Sequence, residues 1–334
     1  MGLTNRWLLI AIAVLCYQPR CAPQGFQVDS SIMDARGGYS TKWDSIQDRL
    51  LIYRDTTASA DPAARIFKND GTSISIYPLM DLPESWYIDV WGVAATPEGG
   101  VVLAAIVGYS PRAVKPPQLK SLLLTYDEAG KLTKVWHVNP YHHHLVAVDR
   151  AGNVFALGDS NLNAPYPLVV KYSPTGTVLR EFLSSAIFPN GDAALSNGSP
   201  SGDSDMFMRG EQLFVWIGST QDLFRFSLAG DLLGRTSLTN ALNGLAAATG
   251  NDHTRVRFLT TADQGEVIAQ VQLWPKRATD PVRSVMIGVS ADGSNARLLS
   301  SPPNPALFLG RTGHGKLVFL EPQPGNKGGT ISEY

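Results

Sequence analysis

The densest run of residues that could do chemistry is Tyr141-His142-His143-His144. Alternate side chains of a strand share a face, so His142 and His144 are predicted to point one way and His143 the other. Two imidazoles on one face form part of a Zn, Cu or Ni site, which needs three or four ligands in all. The residues that could complete such a site are His253, Asp203 and Asp205.

A metal at these residues is one of two interpretations. The carboxylates of Asp203 and Asp205 are also the kind of ligand that Ca²⁺ prefers, so the metal in this interpretation is one divalent ion, Zn or Ca. In the other interpretation the protein has no cofactor and the histidines are solvated loop residues.

A cluster of aromatic residues indicates a different chemistry. Trp86, Tyr87 and Trp91 lie close together in the sequence with Asp89. Flat rings beside a few polar groups are typical of concave sites that bind saccharides or peptides. We therefore expect a ligand site that contains these four residues and two more distant ones, Tyr141 and Arg255. The alternative is that the rings fill the space between packed sheets.

The elements that must position these residues are repeated hairpins. Leu145 to Gly158 and Leu168 to Phe182 each consist of a predicted strand, a glycine turn and a second strand. Two such hairpins make a four-stranded unit. The turn of the first hairpin recurs every 50 to 58 residues, at Asp48, Gly99, Gly152, Gly210, Gly265 and Gly315. The turn of the second hairpin recurs at Gly71, Gly130, Gly176, Gly230 and Gly293.

This repeat predicts an all-β fold, a six-bladed β-propeller of four-stranded antiparallel sheets. The blades are inexact copies, so five or seven blades are the alternatives. The last unit has residues for only three strands, and the extended stretch Gly25 to Ile32 belongs to no unit. We expect this N-terminal strand to complete the last blade and close the ring. Leu238 to Ala248, which is rich in Ala and Leu, predicts a helix between two blades.

The N-terminal segment has the pattern of a secretory signal peptide. Arg6 precedes eleven mostly apolar residues, Trp7 to Tyr17, a run too short to span a bilayer. We therefore predict a signal peptide over residues 1–24, a single domain over 25–334, and a secreted or periplasmic protein. Lipid anchoring through Cys16 or Cys21 is the alternative, although Leu15 and Arg20 are not the small residues that acylation requires.

Charge and hydropathy limit the possible partners. The chain has 28 Lys and Arg against 29 Asp and Glu, a net charge of −1, which gives no field to attract nucleic acid. No stretch after the signal peptide is apolar for long enough to span a membrane. We expect a monomer whose partner is a protein, a peptide or a glycan.

One unit of the repeat carries a family resemblance. Val146 to Phe182 contains an apolar-Ala-Val-Asp strand, a Gly-Asn turn and a Tyr-Ser-Pro-Thr-Gly turn, and it resembles the NHL-type repeat of six-bladed propellers. The wider chain is similar to secreted bacterial six-bladed propellers. The resemblance implies a ligand face formed by the starts of the innermost strands. It does not select a function, because that superfamily includes binding scaffolds, sugar lactonases and an amidating lyase.

The residues depart from both enzyme patterns of the superfamily. The amidating lyase holds zinc with one His from each of three blades, whereas Tyr39 to Lys42, at the start of the first blade, contains no His. Sugar lactonases use a Glu in their cation site, and no Glu stands at the start of an inner strand here. We therefore expect a non-catalytic binding or scaffold protein. The alternative is a divalent-metal-dependent hydrolase or lyase with a His/Asp site.

Overall fold

The computed structural model describes residues 27–29, 40–68, 71–109, 119–163, 165–188, 204–277, 282–299, 306–322 and 328–334. Within these ranges the chain forms six four-stranded antiparallel sheets, which confirms the predicted six-bladed propeller. The signal-peptide prediction for residues 1–24 lies outside the described residues. No helix in the described ranges is both long and apolar enough to cross a membrane.

The strands follow one another around the ring, with the first strand of each blade innermost. Blade 1 contains β2 (Ser40–Asp44), β3 (Arg49–Tyr53), β4 (Ala64–Phe67) and β5 (Ser73–Ile76). Blade 2 contains β6 (Tyr87–Ala95), β7 (Val101–Gly108), β8 (Leu119–Tyr126) and β9 (Leu132–His137). Blade 3 contains β10 (Tyr141–Val148), β11 (Val154–Ser160), β12 (Pro167–Tyr172) and β13 (Val178–Ser184).

The second half of the ring repeats this order. Blade 4 contains β14 (Ser204–Arg209), β15 (Gln212–Ile217), β16 (Asp222–Ser227) and β17 (Leu232–Ser237). Blade 5 contains β18 (Asn251–Thr261), β19 (Val267–Pro275), β20 (Arg283–Val289) and β21 (Ala296–Leu298). Blade 6 contains β22 (Leu307–Arg311), β23 (Leu317–Pro322), β24 (Gly328–Glu333) and, from the other end of the chain, β1 (Gln27–Asp29).

The sixth sheet combines strands from both ends of the sequence. β1 pairs antiparallel with β24, with Gln27 opposite Thr330 and Asp29 opposite Gly328. Backbone groups of β24 that would form an exposed edge are therefore paired.

The tight turns identify one face of the ring. Asp48 and the ten glycines predicted at hairpin turns all have positive φ, between 48° and 92°. Glycine adopts this region without steric cost. We call the face that carries these turns the turn face, and the opposite face, where the inner strands begin, the mouth face.

The core lies between the blades. In the described part of the chain six clusters of buried side chains each join two consecutive blades. One of them packs Leu309 and Val318 of blade 6 against Trp43 and Leu50 of blade 1. Burial of apolar surface is the main favourable term in folding, so this cluster closes the ring by packing.

Helices contribute little to the ring. The helix Thr239–Thr249 lies where it was predicted and packs Ala241, Leu242 and Leu245 into the core between blades 4 and 5. It ends at Gly250, which has a left-handed conformation. A short helix, Pro78–Asp81, and a 3₁₀ turn, Ser185–Ile187, follow blades 1 and 3.

Candidate functional site

Strand β6 begins at the mouth face and separates polar from apolar side chains. Ile88 and Val90 point into the core between blades 1 and 2. Tyr87, Asp89 and Trp91 share the other face of the strand and are half-buried. Alternation along one strand therefore brings together three of the predicted ligand-binding residues.

Two β-bulges bring the inner strands of blades 2 and 3 into contact. Trp91 is the extra residue of the bulge in β6, and His144 is the extra residue of the bulge in β10. Their rings stack with centroids 4.3 Å apart and planes 11° apart. Gly92 permits this approach, because a Cβ there would lie 2.7 Å from the carbonyl oxygen of His144. Bulges change the direction of a side chain, and here they create an indole–imidazole stack.

His142 and His144 share one carboxylate. Nδ1 of His142 lies 3.2 Å from Oδ1 of Asp159, and Nε2 of His144 lies 3.2 Å from Oδ2 of the same residue. The second ring nitrogen of His142, Nε2, lies 3.2 Å from Nδ2 of Asn161. Asp159 is at the end of β11, beside the start of β10, so the hairpin itself brings the three residues together.

The two imidazoles control the ionisation of Asp159. Burial opposes ionisation of this carboxyl, but hydrogen bonds from His142 and His144, together with their charge, outweigh it and hold the pKa of Asp159 well below its usual range. Asp159 is therefore a carboxylate at neutral pH. Its side chain is 22% exposed and that of His142 is 32% exposed, so both can be reached from solvent.

Asp89 lies in a different electrostatic environment. The pKa of its carboxyl is raised, mainly because the group is buried, and the negative charge of Asp55 adds to this. The hydrogen bond from Nε1 of Trp91 acts in the opposite direction. The hydroxyl of Tyr87 also hydrogen-bonds to Asp89. Burial and the two carboxylates raise the pKa of Tyr87 to about 12, so the phenol stays protonated.

We call the linked residues of blades 2 and 3 the mouth network. Its members are Tyr87, Asp89, Trp91, His142, His144 and Asp159.

Trp86 contacts this network through the ring of Tyr87, whereas Tyr141 lies apart from it. The indole of Trp86 is half-buried and lies over Gly108, where a Cβ would be 3.0 Å from the ring. Tyr141 is buried instead in the core between blades 2 and 3, where it stacks on His143 and donates a hydrogen bond to Glu181. The ring of Tyr141 therefore contributes to packing and not to the mouth face.

A cavity of about 460 Å³ with both polar and apolar lining occupies the channel between the inner strands. Nζ of Lys42 in blade 1 donates hydrogen bonds to the carbonyl oxygens of Val146, at 3.2 Å, and Met206, at 2.8 Å. These bonds cross the channel to blades 3 and 4. Burial raises the pKa of Asp205, against the opposing charge of Lys42. Burial and the charge of Asp205 raise the pKa of Tyr53 to about 12.

Blade 5 adds cationic groups to this cavity. Arg255 and Arg257 both line it, and Arg257 is the extra residue of a third bulge. Arg255, one of the predicted ligand-binding residues, is therefore at the channel, but it lies on a different blade from the mouth network.

The predicted metal ligands are dispersed. His142 and His144 converge on Asp159, whereas Asp205 lies in the channel near Lys42. His253 is exposed on blade 5, 3.0 Å from the carboxylate of Asp252, and it stacks on Trp274. Asp203 lies outside the described residues. Among the residues that the structure describes, no three His, Cys, Asp or Glu side chains form a group that could hold a metal ion.

Three residues near the site were not predicted from the sequence: Asp159, Lys42 and Arg257. Asp159 ends a second strand, whereas the ligand face was expected at the starts of the innermost strands. The signal that could have found it is its position in the hairpin. Residues at the end of a second strand lie opposite those at the start of the first, and His142 pairs with Asp159 in the observed register.

Comparisons with known proteins give little beyond the fold. No family model and no curated protein matches the chain. Among solved structures, the chain is similar to a DUF4221 family member from Bacteroides vulgatus, at 10% identity over 92% of this chain and 95% of that one, with a TM-score of 0.49. It is also similar to a gluconolactonase from Xanthomonas campestris, at 11% identity over 94% and 96%, with a TM-score of 0.45.

A third similar structure is a protein of unknown function from Bacteroides caccae, at 12% identity over 76% of this chain and 94% of that one, with a TM-score of 0.34. Similarities this distant do not transfer a function to this chain.

Proposed function

We propose that this protein is an exported binding propeller that recognises a glycan at its mouth face, without converting it chemically. The observation that carries the proposal is the mouth network, where partly exposed carboxylate and imidazole groups adjoin the aromatic rings of Tyr87 and Trp91. Export follows from the predicted signal peptide at residues 1–24.

The chemistry of the network suits sugar hydroxyls. Oδ2 of Asp159 accepts a hydrogen bond from Nε2 of His144, and a carboxylate oxygen can accept a second one. The apolar face of a sugar ring packs on aromatic rings such as those of Trp86 and Tyr87, which lie 5.5 Å apart at the start of blade 2. Fixed polar groups would then set the orientation of the ligand.

The hydrogen bonds of His142 favour binding over catalysis. A general base needs a free nitrogen within reach of the proton that it removes. Both ring nitrogens of His142 have partners, Asp159 and Asn161. Nδ1 of His144 has no hydrogen-bond partner among the described residues, but it is buried and cannot reach a ligand at the mouth face. In the described part of the chain no Ser, Thr or Cys side chain hydrogen-bonds to His142 or His144.

The proposal is tested by screening the mature protein against immobilised neutral glycans and titrating the best of them calorimetrically. We expect Asp89→Asn to weaken binding about tenfold or more, since it removes a charged acceptor, a loss of at least about 1.4 kcal/mol. Asp252→Asn is the matched control, because Asp252 is an exposed aspartate that pairs with a histidine on blade 5. It should bind as the wild type does.

Three results would overturn the proposal. The first is that no glycan is retained, and the second is that the Asp89 and Asp252 variants bind equally well. The third is about one equivalent of metal in protein purified without a histidine tag, lost on His253→Ala, which would favour the metal-dependent enzyme instead.

A further inference from the structure

The turn face contains a large cavity that the proposed function does not use. Its volume is about 900 Å³, within the usual range for ligand sites. It runs from the inner strands outward along blades 4 and 5, and residues of the turn-face loops of blades 1, 3 and 6 also line it. Five of the lining residues are arginines, and we call the cavity the arginine groove: Arg150, Arg209, Arg225, Arg235 and Arg311.

The groove is positively charged, although the chain as a whole is nearly neutral. The acidic residues in its lining are Glu211 and Asp263, and Arg235 also pairs with the buried Asp222. Five positive charges therefore face three negative ones, although the whole chain has a net charge of −1. Such a local excess attracts anionic groups.

The inner end of the groove already binds a carboxylate. Arg209 and Arg311 both hydrogen-bond to Asp263, whose side chain is 77% exposed, whereas those of the two arginines are only 24% and 11% exposed. Burial lowers the pKa of Arg209, and repulsion from Arg311 lowers it further. Two guanidinium groups are thus held close together around a single carboxylate, in the geometry that favours planar anions.

In the outer part of the groove, some of the arginines have no acidic partner within the described part of the chain. Arg235 is paired with Asp222 at 2.7 Å. Arg225 and Arg150 are exposed and form no ion pair with any described residue. These two side chains can pair with an incoming anion without first breaking an internal ion pair.

The floor between the arginines is apolar. Phe214, Leu223 and Val267 are buried beneath it, and Leu233 lines it with 45% of its surface exposed. A phosphate ion has no group to contact these side chains, whereas a peptide that carries both carboxylates and aliphatic side chains does. The volume and the mixed lining therefore favour an extended chain over a small anion.

We propose that the arginine groove binds an extended acidic peptide segment of a partner protein. Carboxylates of the segment pair with Arg225 and Arg150, and its aliphatic side chains contact Leu233 and the floor. The site is on the opposite face from the mouth network, so the protein can hold a glycan and a protein partner at the same time.

The test uses fluorescence anisotropy with the mature protein and a short labelled peptide of alternating aspartate and leucine. The wild type should bind it saturably, and added salt should weaken binding. Arg225→Glu combined with Arg150→Glu should weaken binding at least about tenfold, because each change replaces an attraction with a repulsion. Arg283→Glu, at an exposed arginine outside the groove, is the matched control and should bind as the wild type does.

Two further measurements distinguish the contribution of charge to binding from that of the apolar contacts. A peptide of alternating asparagine and leucine should not bind, and Leu233→Asp should weaken binding of the acidic peptide. Equal affinity of the double variant and the Arg283 variant would overturn the proposal. So would displacement of the peptide by inorganic phosphate at equal concentration, since that result would indicate a small-anion site.

Discussion

Adjacent histidines in β10 lie in opposite environments. The side chain of His142 is 32% exposed at the mouth, whereas His143 is 2% exposed, with Nε2 2.7 Å from the hydroxyl of Tyr172. Burial, together with repulsion from His144 and His142, lowers the pKa of His143 to about 3. The negative charge of Asp159 acts in the opposite direction. His143 is therefore a neutral core residue at neutral pH.

This environment predicts a pH dependence of stability. The folded-state pKa of His143 is below the ordinary value of 6.5, so between about pH 6.5 and 3 the unfolded chain binds a proton that the folded chain does not. The contribution of His143 is complete above pH 6.5 and falls by about 1.4 kcal/mol per pH unit as the solution is acidified. His143→Gln should remove this slope in urea unfolding measured from pH 6 to 4.5.

Tyr172→Phe is the control for this experiment. It removes the hydrogen bond to His143 but no group that titrates in this range, so it should lower stability by about 1 kcal/mol at every pH and leave the slope unchanged. If His143→Gln and the wild type showed the same slope, the imidazole would not be kept neutral by the fold.

At the scale of residues, strand alternation predicted the site only in part. It separated His142 and His144 from His143, and it grouped Tyr87, Asp89 and Trp91. Alternation also places Tyr141 on the face of His143, where both rings are buried and stack. The expectation that Tyr141 belongs to the ligand site rested instead on its position at the start of an inner strand.

At the scale of elements, the turns were predictable and the bulges were not. A glycine turn has a local signature, and all eleven predicted turn residues have positive φ. A bulge inserts one residue into a strand without a distinctive composition, so the stack of Trp91 on His144 could not be predicted from the sequence. The position of Asp159 depends on the register that these bulges produce.

The register of β10 against β11 also depends on a glycine. Gly158 lies opposite His143, and a Cβ at residue 158 would be 1.9 Å from the carbonyl oxygen of His142. Gly158→Ala must displace the backbone of β10, which should cost about 2–3 kcal/mol. Chemical denaturation measures this loss, and displacement of His142 should also weaken glycan binding.

Gly244→Ala is the matched control for Gly158→Ala. Gly244 lies within the helix Thr239–Thr249, and a Cβ there would have no heavy atom within 4 Å. Alanine favours the helix over glycine by about 0.5–1 kcal/mol, so this variant should be slightly more stable than the wild type. If both substitutions destabilised the protein equally, a steric clash at Gly158 would not be the cause.

At the scale of the whole molecule, the ring separates two chemically different faces. The mouth face has carboxylates, imidazoles and aromatic rings, whereas the turn face has the arginine groove. The repeat in the sequence predicted this architecture, but it did not predict the groove, whose arginines come from three different blades.

The sixth sheet predicts that the N-terminal strand contributes to the stability of the whole ring. Removal of residues 1–31 deletes β1 and leaves β24 with an unpaired edge. The loss of the ladder hydrogen bonds should lower the free energy of unfolding by roughly 2–4 kcal/mol. The exposed edge should also promote self-association, visible by light scattering as the concentration rises.

The control is a chain that starts at residue 25, which keeps β1. If both chains unfold at the same temperature and remain monomeric, the pairing of β1 with β24 contributes nothing to the closure of the ring, and packing between blades 6 and 1 is sufficient.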